Sequence, residues 1–472
     1  PGSDAIQPIF YTEQNRQGLF YDARSYRPIS NLSVASKLLE RLVARQVVDH
    51  LQSNNLLPDQ QSAYRPGFST ETAILRVLSD ILQAVDEGDV AALALFDLSA
   101  AFDTVDHSIL LQRLQSSYGF DGLALQWFRS YLTGRTQAVR RGSQQSAITS
   151  VICGIPQGSV LGPILFIMYT PDLVRLIVRH GLSPHLFADD TQVYGRCSPE
   201  GMSDLVARIS ACSDDILSWM RSNRLQLNAD KTDLIWCATS RRLHRLQLPS
   251  IRVGSETISP SSTVRNLGIY IDSDLSMQSH VQRTVAGCFA ALRQIRSVRR
   301  SLPSTALETL VVSFVLTRLD YGNATLAGIP AILLRRLQAV LNASARTVTG
   351  IPRSAHITTS LAGLHWLRAA ERIKFKLATL TYRCLHCTAP RYLSAQLTRV
   401  ADIPSRRRLR SSATDALFIR PTRLVTVGDR AFPVAAAKLW NDLPGDVTAS
   451  QSLAAFRRQL KTFLFRLSFP VS

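Results

Sequence analysis

Residues 185–194 read HLFADDTQVY: a few apolar or β-prone residues, two adjacent carboxylates, then Thr191, Gln192, Val193 and Tyr194. Two β-prone runs with polar residues between them predict a β-hairpin with Asp189 and Asp190 at its tip. Neighbouring carboxylates repel each other and have weak strand propensity, so the arrangement is favourable mainly where cations sit beside it. A metal site is the sharp reading, and a solvated acidic turn is the commoner fate of an isolated Asp–Asp pair. The choice between them rests on the rest of the chain.

At 472 residues the chain suits roughly three domains. A hydrophobic fraction of 46% supports buried cores and argues against wholesale disorder. The formal charge of +19 points to a polyanionic partner, nucleic acid first and an anionic membrane surface second. That charge is unevenly placed: residues 276–472 hold 29 Lys and Arg against 8 Asp and Glu, net +21, whereas residues 1–275 are net −2. Seven scattered cysteines do not look like a disulfide framework, and a reducing compartment fits them better. Cys384, His386 and Cys387 form a CLHC run, but one such pair without a second is weak support for zinc. The apolar stretch over 310–334 is broken by Arg318, Asp320 and Pro330, so no membrane span is expected. The chain starts at Pro1 with no signal-peptide pattern, which suggests a fragment of something longer.

Residues 1–25 carry no clear periodicity and are assigned no structure. Val34, Leu38, Leu39, Leu42, Val43, Val47 and Leu51 recur at helical spacing, with Ser33 or Ser36 available as an N-cap, which predicts an amphipathic helix. A Gly/Pro-broken loop, QQSAYRPGFST, precedes a helix over 71–86 with Thr70 as its cap. Residues 90–96, VAALALF, have the length of a buried strand, although their Ala and Leu content leaves helix open. As a strand they set Asp97 at a sheet end, where functional side chains commonly project. Residues 137–152 predict two strands joined by a polar turn. The loop GIPQGSVLGPILF follows at 154–166 and leads into an apolar helix; its glycines permit close backbone approach to a ligand, while Gln157 and Ser159 offer hydrogen bonds.

A helix is expected over 205–219, and LQLNADKTDLIW at 225–236 reads strand, turn, strand with Lys231 near the turn. Residues 264–272, VRNLGIYID, predict another strand pair. Helices then follow over 281–299, 304–318, 331–348 and 369–385. Arg335, Arg336 and the run Ser405-Arg406-Arg407-Arg408-Leu409-Arg410 punctuate this half. A charge run is usually a solvated face, but an excess sustained this far favours a nucleic-acid track with salt-sensitive phosphate contacts.

Taken in order, YRPISNLSVASKLLERLV, AYRPGFST, LFDLSAAFDTVDH, GIPQGSVLGPILF, FADDTQVY, LNADKT and RNLGIYID resemble the motif series of reverse transcriptases. Specifically, they resemble the polymerases of non-LTR (LINE-type) retrotransposons of the jockey and CR1 groups. LWNDLP and FRRQLKTFLF resemble the tail of those proteins, so the similarity spans residues 26–465. The resemblance implies an α+β right-hand polymerase with an antiparallel palm sheet and a helical, basic C-terminal region. The expected division is an unassigned segment 1–25, fingers 26–90, palm with interleaved fingers elements 91–275, thumb 276–350 and basic region 351–472.

Nucleotidyl transfer moves a phosphoryl group between oxygens, and two Mg²⁺ ions roughly 3.5–4 Å apart activate the attacking hydroxyl and stabilise the leaving group. The resemblance implies Asp97 and Asp189 as ligands of both ions, with Asp190 auxiliary and Mn²⁺ able to substitute. It further implies Lys231 as the proton donor to pyrophosphate, Arg65 as a triphosphate ligand, and Phe102 as the gate against a ribose 2′-hydroxyl. Gln157 would contact nucleotide and template, and Leu267 and Gly268 would form the primer grip. Ordinary alternatives stand beside these: a core Phe at 102 and a surface-turn Lys at 231. The implied partners are template RNA, primer or target DNA and deoxynucleoside triphosphates, with an endonuclease supplied elsewhere or upstream and no membrane. The implied location is intracellular: the nucleus for target-primed synthesis, with a cytoplasmic ribonucleoprotein. Most relatives carry Tyr where this chain has Phe187, and neither the upstream endonuclease nor a CCHC knuckle is matched. The rival readings are a catalytically inactive or co-opted nucleic-acid-binding remnant, and a group II intron maturase-type reverse transcriptase.

Overall fold

The run VAALALF is apolar at every position because both faces of the strand it forms are covered. In the computed structural model, which describes residues 8–12, 26–30, 32–141, 143–403 and 416–470, that strand is Val90–Ser99 (β1). It lies inside a four-stranded antiparallel sheet with Ser183–Phe187 (β2), Asp190–Cys197 (β3) and Gln226–Cys237 (β4), in the order β4-β1-β3-β2. Ala91 and Leu93 face one core, whereas Val90, Ala92, Ala94, Phe96 and Leu98 face the other, as the two-residue period of a strand requires.

The second of these cores is filled by Val34–Ser53 (α1), together with the helices at Gly162–Tyr169 and Met202–Ser222. Ser33 caps α1 by accepting from the Ser36 N–H at 3.1 Å. The apolar stripe expected on this helix is only half used: Val34, Leu38, Leu39 and Leu42 are exposed, and the buried stripe is Glu40, Ala44, Val47 and Leu51. Glu40 explains the shift. Its Oε2 accepts from the backbone N–H groups of Val160 and Leu161, at 2.6 and 3.1 Å, and so satisfies the N-terminal end of the helix after the Gly/Pro loop. A charged residue thus begins the buried face, which a search for apolar periodicity does not find.

Thr70–Glu87 (α2) covers the other face of the sheet. Ser69 and Thr72 close a capping box at its start, moving the cap one residue from the expected Thr70, and Gly88 ends it at φ +102°. The core beneath α2 also takes in the hairpin of Thr263–Asn266 (β5) and Ile269–Asp272 (β6) and the helices Gln278–Val298 (α3) and Ala331–Thr349 (α4). Ala369–Leu385 (α5) and Phe432–Asn441 (α6) join the same core, and Leu453–Ser468 (α7) packs on α5 and α6 through Tyr382, Trp440 and Phe456.

Four expectations need correction. Pro8–Thr12 is a strand paired with Tyr26–Ser30, inside the segment assigned no structure. Residues 136–150 form two nested pairs of two-residue strands instead of one regular hairpin. Residues 225–236 do not turn back: β4 is one strand, with Asn228 opposite Asp97 and Asp233 opposite Leu95, so extra residues bulge out between them. The helix expected over 304–318 is interrupted by a π-helical stretch at Val312–Leu316. Cys384 is buried and Cys387 exposed, both as free thiols. The basic run at 405–410 lies outside the described residues. Among the described residues, no helix is long and apolar enough to cross a membrane.

Candidate active site

The β2–β3 hairpin closes at the Phe187–Asp190 pair and leaves Ala188 and Asp189 as a two-residue turn. Ala188 has φ +57°, the left-handed region that the first position of a type II′ turn demands and that a side chain resists. A neighbouring segment holds it there. Gln61 Oε1 accepts from the N–H groups of Ala188, at 3.1 Å, and Ala63, at 3.0 Å. Residues 60–62 run alongside β2, with Leu186 N–H donating to Gln60 O at 2.8 Å and Ser62 N–H to Leu186 O at 2.9 Å. Behind them, Ser62 Oγ bonds both His185 Nε2 and the Tyr392 hydroxyl at 2.9 Å, and Tyr392 reaches Thr72 Oγ1 at 3.1 Å. Burial drives the His185 pKa down to about 3, so this relay is neutral.

Asp97 lies opposite Asn228 of β4 and one step beyond the last β1–β3 pair, Phe96–Thr191. Antiparallel alternation therefore sets Asp97 beside Asp190 on the sheet face that α2 covers further along. The carboxylates feel each other: Asp190 is raised to about 6, first by loss of hydration within the cleft and then by Asp189 and Asp97. The bulge in β4 delivers Lys231, whose Nζ is 3.4 Å from Asp97 Oδ2.

Three carboxylates with a lysine ammonium already against one of them suit a hard cation. Among the described residues no three His, Cys, Asp or Glu side chains are gathered into a cage. A Mg²⁺ ion held there by one or two of the carboxylates would have to complete its shell with substrate phosphates and water.

The remaining expected residues fall into two groups. Phe102 stacks on Phe166 at 4.5 Å, and its neighbour Asp103 accepts both hydrogen bonds of the Gln157 amide. Leu267 and Gly268, at φ +43° and +83°, form the tight β5–β6 turn. The Tyr321 hydroxyl donates to Leu267 O at 2.7 Å, and Asn266 Nδ2 donates to Gln192 Oε1 on β3 at 3.0 Å, tying this turn to the carboxylate strand. Arg65 is held differently: Nη1 donates to Pro58 O and Gln61 O, at 2.7 and 2.9 Å, and the guanidinium covers Phe68. Its neighbour Tyr64 faces the acidic tip instead, its hydroxyl pKa raised by burial and by Asp189 and Asp190. Sequence reasoning missed Gln61, Tyr64 and Asp103, although all three lie within segments it had marked.

A family model described as "Reverse transcriptase (RNA-dependent DNA polymerase)" matches residues 15–271. The Drosophila melanogaster protein "Probable RNA-directed DNA polymerase from transposon X-element" is 30% identical over 69% of this chain and 36% of its own length. Another from that organism, "Probable RNA-directed DNA polymerase from transposon BS", is 29% identical over 74% of this chain and 39% of its own. "RNA-directed DNA polymerase from mobile element jockey" of Drosophila funebris is 26% identical over 55% of this chain and 28% of its own. The chain thus spans well under half the length of these relatives. Among solved structures, apo telomerase from Candida Tropicalis overlaps loosely, with a TM-score of 0.44 and 12% identity over 79% of this chain and 64% of that one.

Proposed function

The chain belongs to the reverse transcriptase (RNA-dependent DNA polymerase) family, and we propose that it extends a DNA 3′ end along an RNA template as the polymerase of a non-LTR retrotransposon. Its fold is the α+β right-hand polymerase fold. The observation that carries the proposal is the convergence of Asp97, Asp189 and Asp190 at one end of the four-stranded sheet, with Lys231 against Asp97. Two Mg²⁺ ions bound there would lower the energy of the attacking 3′-oxygen and of the departing pyrophosphate.

The protein's own residues do the rest. Asp97 and Asp189 hold the ions and Asp190 assists; Lys231 supplies a proton toward the leaving pyrophosphate. Phe102 bounds the space under the sugar, and Gln157 meets the incoming nucleotide. Arg65, in the fingers loop, serves the triphosphate after exchanging its present carbonyl partners for phosphate oxygens, a trade favoured by guanidinium–phosphate geometry. The turn at Leu267 and Gly268 steadies the primer end, and the basic helices after residue 276 follow the duplex backbone.

Extension of oligo(dT) on poly(rA) with dTTP tests this. Magnesium-dependent product is expected. Salt-sensitive binding without synthesis at any Mg²⁺ or Mn²⁺ concentration would leave only a nucleic-acid-binding protein.

A further inference from the structure

Gln157 is held at both ends. Its backbone carbonyl accepts from the Ser30 N–H at 2.7 Å. Its side-chain Nε2 donates to both oxygens of Asp103, at 2.9 and 3.0 Å. An ionised carboxylate only accepts, so the amide orientation follows from chemistry: the amino group faces Asp103 and Oε1 faces away. Asp103 itself cannot drift from the loop that bears Gln157. Ile155 N–H donates to Phe102 O at 2.8 Å, Gly154 N–H to Val105 O at 2.8 Å, and His107 Nε2 bonds Gly154 O at 2.7 Å. Gly154 has φ +87°, and a Cβ there would meet Asp103 O at 2.7 Å, so this approach requires glycine. Asp103 and Gln157 line one cavity of about 480 Å³, together with Ser30, Arg135 and Gly154. The gate candidate Phe102 is the residue immediately before Asp103.

We propose that Asp103 is a positioning residue that locks the Gln157 carboxamide, so that Gln157 meets the incoming nucleotide solely as a hydrogen-bond acceptor. The group it selects is then a donor on the nucleotide, a sugar hydroxyl or a base amine. The proposal rests on the polymerase reading above, which extension by the unmodified chain tests separately. Without Asp103 the amide rotates freely and presents either end, which weakens nucleotide binding while leaving the carboxylates in place.

The test is steady-state primer extension by Asp103→Leu, Asp103→Asn, Gln157→Ala and the Asp103→Leu/Gln157→Ala double variant. Asp103→Leu should raise the nucleotide KM about tenfold with kcat within about threefold. Asp103→Asn keeps one acceptor and should recover most of that loss. In the Gln157→Ala background, Asp103→Leu should add less than about twofold, because a residue that acts through Gln157 has nothing left to position. Losses that multiply in the double variant would overturn the proposal. Comparing the four nucleotides identifies the donor: an equal KM rise for all four places it on the sugar, and a spared dTTP, which lacks an exocyclic amine, places it on the base. Hydrogen exchange of the ¹⁵N-labelled Gln157 side-chain amide supplies a readout without catalysis. It should be slowed in the unmodified protein and released in Asp103→Leu, and a fast-exchanging amide in the unmodified protein would overturn the lock even if extension fails.

Discussion

At the back of α2, acidic side chains are matched to donors from distant segments, whereas at the tip of the β2–β3 hairpin three carboxylates crowd together with Lys231 against one of them. Asp86 is buried, yet its carboxylate accepts from the backbone N–H groups of Arg423, at 3.0 and 3.2 Å, and Leu424, at 2.6 Å. Glu71 accepts from Ala324 N–H and pairs with Lys376, both at 2.9 Å, and Asp80 pairs with Arg76 at 3.0 Å and the Tyr194 hydroxyl at 2.7 Å. At the tip, the Asp190 carboxyl is raised to about 6, first by burial and then by Asp189 and Asp97. The first arrangement ties distant parts of the chain together; the second gathers negative charge where a cation would be favoured. Carboxylates of the same chemical kind thus separate into anchors and candidate ligands by what faces them.

The largest expected effect tests the ligand side. Asp97→Asn should cut primer extension by at least about a thousandfold, while the urea midpoint shifts little because the change removes like-charge repulsion together with the partly exposed Lys231 pair. A variant that is unfolded, or that is fully active, would break the comparison. Asp86→Ala should do the opposite. It removes the acceptor of two part-buried N–H groups and should cost about 2 kcal/mol of folding stability by urea titration, and a midpoint equal to the unmodified protein would show that the C-terminal segment is not anchored there.

A smaller effect follows from His185. Its folded pKa lies below its unfolded value, so its contribution to stability is complete above the unfolded value and is lost as pH falls toward about 3. Between about pH 7 and about pH 5 the chain should lose about 2 kcal/mol from this group, with His280, lowered to about 4, acting in the same direction. His185→Gln should flatten that slope in urea titrations, and an unchanged slope would remove His185 from the relay. The smallest effect is that of Tyr392→Phe, which deletes one hydroxyl from the Ser62–Thr72 network and should cost about 1 kcal/mol. Extension should fall less than about threefold, and a loss as deep as that of Asp97→Asn would make the C-terminal segment part of the catalytic tip.

The placement of the tip carboxylates was legible in the sequence, because an apolar strand-length run ends at Asp97 and two β-prone runs flank the 189–190 pair. Asp97 and the 189–190 pair sit where strand length and turn chemistry predict them, and the β1–β3 pairing brings them together. The anchor side was not legible. Glu40 meets Val160, Gln61 meets Ala188, and Ser62 meets Tyr392 across 120, 127 and 330 residues, and no local propensity encodes such pairings. Net charge likewise reports composition and not placement. Arg372, Lys376 and Lys438 belong to the basic half, yet they pair with Asp320, Glu71 and Asp429. The half read as a basic track is also a scaffold folded back onto α2.

The most direct test is one experiment on Asp189→Asn: single-turnover extension across a Mg²⁺ titration, measured beside its affinity for the template–primer duplex. The expected result is no product at any Mg²⁺ concentration, with affinity within about twofold of the unmodified protein, because phosphate contacts made elsewhere supply the binding. Full synthesis by this variant, or affinity lost in step with synthesis, would contradict the assignment of the hairpin tip as the metal-binding centre.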